Sequence, residues 1–131
     1  MTTKEFHIGT VLSISHDILL SPDHMNGVQS ILDFMTGDSL YTHQLPRASR
    51  ECEPAILAQH PQLRDITIPK IEPREDRGES ASKEFLDSLY PTYGEYLSIS
   101  PLNPGDHTRI DPLLELSMIN HQTLIIPIKT P

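Results

Sequence analysis

Tryptophan is absent, aromatic residues make up only 5% of the chain, and a single cysteine, Cys52, stands alone. A core made from such a sequence rests on Leu, Ile, Val, Met and Ala, with few large anchors. One cysteine forms no internal disulfide, and Met1 is followed by the polar run Thr2-Thr3-Lys4-Glu5 instead of an apolar segment, so a secreted, disulfide-stapled protein is not expected. No apolar run approaches the roughly 18 residues that span a bilayer. These absences together point to a reducing cytoplasm and to no membrane association.

Basic charge is also scarce. The 131 residues carry 10 Lys and Arg against 18 Asp and Glu, a formal charge of -8, spread along the chain without an acidic tail or a basic arm. Phosphate backbones are bound by concentrated Lys and Arg, so direct nucleic-acid binding is not expected. The 6 glycines are scattered and form neither a GxGxxG turn nor a P-loop, which leaves no basis for a nucleotide cofactor. Among 7 histidines the nearest approach to a ligand set is His43, Cys52 and His60, whose spacing matches no compact zinc arrangement. No metal or other cofactor is expected. No serine sits in a GxSxG elbow, and Cys52 falls on the apolar side of its segment, where a buried thiol is the ordinary outcome.

What the chain does have is proline, 12 in all, concentrated in short connecting phrases such as Ser21-Pro22, His60-Pro61 and Ser100-Pro101-Leu102-Asn103-Pro104. Each fixes φ and removes a donor, so they mark the ends of short elements. Phe6 to Ile14 and Ile18 to Leu20 are rich in β-branched and aliphatic residues and read as an N-terminal hairpin. Helical spacing of Val28, Ile31, Leu32 and Met35, with Gly37 at the C-cap position, predicts a helix over about residues 22–36 capped by Ser21. A second helix is expected from Pro46 through Cys52 and Ile56, with Pro54 inside it. A third runs from Ser82 to a stop at Pro91, and a fourth follows Asp111-Pro112, where Asp111 is the expected N-cap. Tyr96–Ile99 and Thr123–Ile128 read as strands. The fold class is α+β in a single domain over 1–131: about four strands in a small mixed or antiparallel sheet, packed with three to four helices, and a mobile charged loop at about 64–80.

The densest polar phrase is Met35 to Cys52, MTGDSLYTHQLPRASREC. Gly37 and Pro46 have evident structural jobs there. Asp38, Thr42, His43, Gln44 and Arg47 remain as a polar cluster that either locks the fold by hydrogen bonds or faces a ligand. Glu72, Arg74, Glu75 and Asp76 are candidates for a partner-binding loop. Asp106, His107 and Asp111 contain the makings of an acid-histidine pair, although capping explains Asp111 more simply.

Gly9-Thr10-Val11-Leu12-Ser13-Ile14, the phrase from Met35 to Ala48, and then Cys52 and His60-Pro61 resemble a family of small phage and prophage proteins, with a looser likeness around Ile110-Asp111-Pro112-Leu113 and Glu115-Leu116. The resemblance implies a bacterial cytoplasm during infection or lysogeny and specifies no reaction. On these grounds the expected role is a non-enzymatic phage accessory protein that binds a host protein, a candidate inhibitor of a defence system such as a CRISPR effector, whose basic channel suits an acidic partner. The alternatives are a small hydrolase or nucleotide-modifying enzyme with a pocket around His43 and Arg47, and a virion or assembly component.

Overall fold

Phe6 and Leu97 face each other across the only ladder among the described residues, where β1 (Lys4–His7) pairs antiparallel with β2 (Tyr96–Ile99). A computed structural model describes residues 2–69 and 79–119. Phe6, Leu97 and Ile99 point inward, and their neighbours Glu5, Tyr96 and Ser98 point out, the period of two expected of a half-buried ribbon. The class is α+β as expected, but the described residues hold two strands where about four were expected.

The difference lies in the N-terminal segment. Ile8–Ser15, expected as strand, is helix α1, and all eight of its residues are buried. His7 ends β1 and starts α1, its ring nitrogen Nδ1 accepting the Gly9 amide at 2.9 Å. A helix buried on every side has no polar stripe, so its apolar run imitates a buried strand. Its hydroxyls are satisfied within the core: Ser13 donates to the Gly9 carbonyl at 2.8 Å and accepts the Leu20 amide at 2.9 Å, while Thr10 donates to Ser21 at 3.1 Å. Those last two bonds hold the 18–21 connection as a tight crossing, not as a second strand of a hairpin.

α2 spans Met25–Thr36, three residues shorter at its start than expected. Residues 22–24 form a turn in which His24 adopts φ 53°, and the Ser21 hydroxyl is engaged by Thr10 and caps nothing. At the far end Gly37 takes the left-handed conformation, φ 69°, and closes α2 with its amide on Asp33. α3 runs Leu45–Gln59 with Leu45, Ala48, Cys52 and Ile56 buried along one face, and it continues through Pro54, forgoing one backbone bond. The following stretch is more ordered than its composition suggested, because Leu63 and Ile66 are buried in the core. Residues 70–78, and with them Glu72, Arg74, Glu75 and Asp76, lie outside the described residues, as does the strand expected at Thr123–Ile128.

α4 covers Glu79–Tyr93, passing the expected stop at Pro91 and ending at Gly94, whose φ is 90°. A last helix, α5, occupies 112–119, and Asp111 caps it as expected, its carboxylate accepting the Leu113 and Leu114 amides at 2.9 and 3.1 Å. α1 is the hub, packing against α2, α3, α4 and both strands. No helix among the described residues is long and apolar enough to cross a membrane.

Cys52 lies on the buried face of α3 with no solvent exposure, and burial pushes its thiol up to about 12. Only the thiolate reacts at useful rates. Modification by iodoacetamide at pH 8 is therefore expected to proceed no faster than global unfolding exposes the side chain. Rapid labelling of the native protein would contradict this packing.

Candidate functional site

Gln44 and Arg47 stand on the short 3-10 turn Thr42–Gln44 and the first turn of α3, and both reach across to the C-terminal segment. Gln44 is 2% exposed. Its carbonyl oxygen accepts the Tyr41 amide at 3.0 Å, while its amide nitrogen donates to the Ile110 carbonyl at 3.1 Å and to Glu115 at 2.9 Å. Arg47 grips the same carboxylate with two parallel bonds, Nε to Oε2 at 2.7 Å and Nη2 to Oε1 at 2.9 Å. Its other terminal nitrogen donates to Glu51 at 2.9 Å and to the Thr108 carbonyl at 2.6 Å. Such a two-point guanidinium–carboxylate fork is among the strongest polar contacts available to a protein.

A second set of bonds lies beside the first. His107 is wedged between carboxylates, Nδ1 at 2.6 Å from Glu51 and Nε2 at 3.1 Å from Asp38. Arg109 meets the other Asp38 oxygen at 3.2 Å and donates to the Gly37 carbonyl at 2.9 Å. The His43 ring contacts the Pro112 carbonyl at 2.8 Å. Of the five candidates, Asp38, His43, Gln44 and Arg47 thus converge on residues 107–115, whereas Thr42 is exposed and its hydroxyl joins no bond among the described residues. Asp106 stays out of the network.

Glu51 and Arg109 had no sequence signal of their own, and Glu115 entered only through the looser family likeness, with no role attached. Glu51 is an i+4 partner of Arg47 and was readable only as an ordinary surface pair. Glu115 is a lone carboxylate on the inward side of α5, and its meaning depends on an arginine 68 residues away.

The chemistry of this arrangement is that of a fastening. Among the described residues no buried side-chain nitrogen or oxygen lacks a partner, and no group of three His, Cys, Asp or Glu is placed to hold a metal. His43, Cys52 and His60 are dispersed, on the Pro112 carbonyl, in the core and on the Ser98 carbonyl. Two open grooves are present besides. One of about 630 Å³ runs along α3 past Arg50, Glu51 and Pro54 to Leu102, and one of about 870 Å³, lined by none of the fastening residues, lies between the Leu19–His24 turn and α4.

Hydrogen bonds from Arg47 and Gln44 hold the Glu115 carboxyl below its ordinary 4.5, against the opposing effect of burial. A carboxyl with a lowered folded value contributes stability that is complete above its ordinary value and disappears as the pH falls through the lowered one. Acid is therefore expected to loosen residues 107–119 first. Hydrogen exchange there would rise below about pH 4.5 while α1 and α3 remain protected, and uniform loss of protection would refute a local role.

Fold and site together define an α+β protein whose N-terminal helices clamp residues 107–115 through a part-buried polar network centred on Glu115. Residues 6–66 match the model of a family described as a domain of unknown function (DUF7736). That span is just under half of the chain and contains the gripping residues from Asp38 to Glu51, while the gripped residues from His107 to Glu115 lie outside it. No curated protein and no solved structure matches the chain.

Proposed function

We propose that the protein is a non-enzymatic phage accessory protein that acts in the bacterial cytoplasm by binding a host protein, and that its target is a nucleic-acid-handling defence complex. The observation that carries this reading is how the polar phrase is used. His43, Gln44 and Arg47 are committed to holding α5, Asp38 holds His107 and Arg109 just before it, and α5 turns Leu113, Leu114 and Met118 outward at 77, 56 and 46% exposure. A helix fastened by polar bonds on one face and apolar on the other is suited to lie in a partner's groove. The net charge of -8 favours a partner with a basic surface, where it speeds encounter and selects the target.

The enzymatic alternative draws less support. His43 and Arg47 do not converge on a cavity, and their nitrogens are spent on the Pro112 carbonyl, Glu115, Glu51 and Thr108. An assembly role would use the same apolar face for self-association, and a monomer by light scattering would count against it.

The test compares the wild type with the double variant Leu113→Glu, Met118→Glu in a host that carries an active defence system. Expression of the wild type is expected to restore phage plating and to co-purify with a component of that system, and the variant is expected to do neither while folding normally. Absence of both protection and a partner for the wild type would sink the proposal.

A further inference from the structure

The groove between the Leu19–His24 turn and α4 has features that neither the core nor the fastening uses. Its floor is apolar, made by Leu20, Pro22 and Leu86, with Leu19 at the rim 49% exposed. One wall is aromatic: the His7 ring stands edge-on between Tyr90 and Tyr96, with centroids 5.7 and 5.6 Å away, and Tyr96 is 56% exposed. Because His7 Nδ1 accepts the Gly9 amide, its proton sits on Nε2 and is donated to the Tyr90 oxygen at 2.9 Å. Burial pushes His7 below its ordinary value, in keeping with a neutral ring in that role. The Tyr90 hydrogen is thereby left over, and among the described residues it has no acceptor.

Charge decides what fits. Asp23, Asp87 and Glu95 all act on His7. Lys83, the one lysine lining the groove, is tied to Asp87 at 3.0 Å, while Glu95 has no partner among the described residues and His24 at the rim makes no side-chain bond among them. An anionic ligand would meet carboxylates of which only Asp87 has a cation among the described residues, and a cation would meet Glu95 and the exposed ring of Tyr96, both lining the groove, the setting in which cation–π attraction operates.

We propose that this groove binds a basic peptide segment of a partner protein, with an Arg or Lys over Tyr96 beside Glu95, an adjoining apolar side chain on the Leu20–Leu86 floor, and a peptide carbonyl taking the Tyr90 hydroxyl. The site is independent of the α5 face, so its failure and the failure of the proposed function are separable: one is read on the isolated protein with peptides, the other in cells.

The probe is acetyl-Leu-Arg-amide, titrated into the full chain and followed by two-dimensional NMR. Its citrulline and glutamate counterparts and free arginine amide serve as comparison ligands. Saturable shifts at Leu20, Tyr90 and Tyr96 are expected, with the citrulline peptide roughly threefold to fivefold weaker and the glutamate peptide weaker still. Glu95→Gln should bring arginine and citrulline peptides within about twofold, and Tyr90→Phe should weaken both alike, by roughly threefold to tenfold. Glu95→Gln leaves its surroundings intact, whereas Tyr90→Phe also removes the acceptor of the His7 Nε2 proton, so thermal melts check that both variants stay folded and shifts at Gly9 check that the His7 ring stays in place. No saturable shift at the groove, or equal binding of the glutamate peptide, would overturn the proposal. Arginine amide binding as tightly as the peptide would overturn the assignment of a peptide occupant.

Discussion

Gly9→Ala is expected to cost about 3–5 kcal/mol, where the same change inside an ordinary exposed helix stabilises by about 1 kcal/mol. A Cβ at residue 9 would be driven into the Leu20 carbonyl oxygen and would crowd Leu86 Cδ1 at 3.1 Å and His7 Nδ1 at 3.2 Å. The carbonyl is backbone and cannot rotate aside. Its own amide is held by Ser13, and the next residue is held by Thr10, so relief means lifting the 19–21 crossing off α1 and breaking both bonds. Overpacking contributes about 1–3 kcal/mol and each lost buried bond about 1 kcal/mol. Gly105→Ala is the control: a Cβ there meets nothing within 4 Å, and the change should stay within about 0.5 kcal/mol. Equal urea midpoints for the two variants would show that the crossing is not packed as described.

The same glycine shows where sequence reasoning failed and why. GTVLSI looks like a strand because β-branched and aliphatic residues dominate and no polar side breaks the run. Three-dimensional burial on all sides is what permits a helix there, and no local pattern reports burial that distant elements supply. α2 and α3 were legible because each keeps a wet face, and because Gly37, Pro46 and the Cys52 stripe punctuate them. In the site, the sequence exposed one half of the clamp. Gln44 and Arg47 stood out as polar residues, but apart from Tyr41 and Glu51 their partners are single residues more than 60 positions away, and Glu115 is distinguished from any other helical glutamate only by what it touches. The Asp111 cap was readable because its partners are the next two amides but one, within a single turn.

Arg47→Ala is expected to release the C-terminal segment while leaving the helical body folded. From 103 to 119 the only buried residue is Glu115, so this stretch places no apolar side chain in the core and is held almost entirely by polar bonds. Arg47 supplies three of them, two to Glu115 and one to the Thr108 carbonyl, and a fourth bond to Glu51 within α3 steadies the guanidinium. Removing it leaves a carboxylate whose side chain is 6% exposed with only Gln44 to answer it. Breaking a fully buried pair costs about 3–5 kcal/mol, and Arg47, with 18% of its side chain exposed, warrants somewhat less, about 2–4 kcal/mol. That loss falls on the local opening of 107–119, so amide exchange there should accelerate by about 30-fold to 1,000-fold, with little change in α1 or α3. Glu115→Gln keeps an oxygen for the guanidinium and should lose less, and the double variant Arg47→Ala, Glu115→Ala should cost less than the sum of its parts. The proposed binding role follows the same logic: a released α5 no longer presents Leu113, Leu114 and Met118 in fixed register, so under that proposal Arg47→Ala should abolish partner capture without touching the partner. Full capture by a variant whose segment exchanges freely would mean that the partner re-forms the helix for itself, and that the clamp serves stability alone.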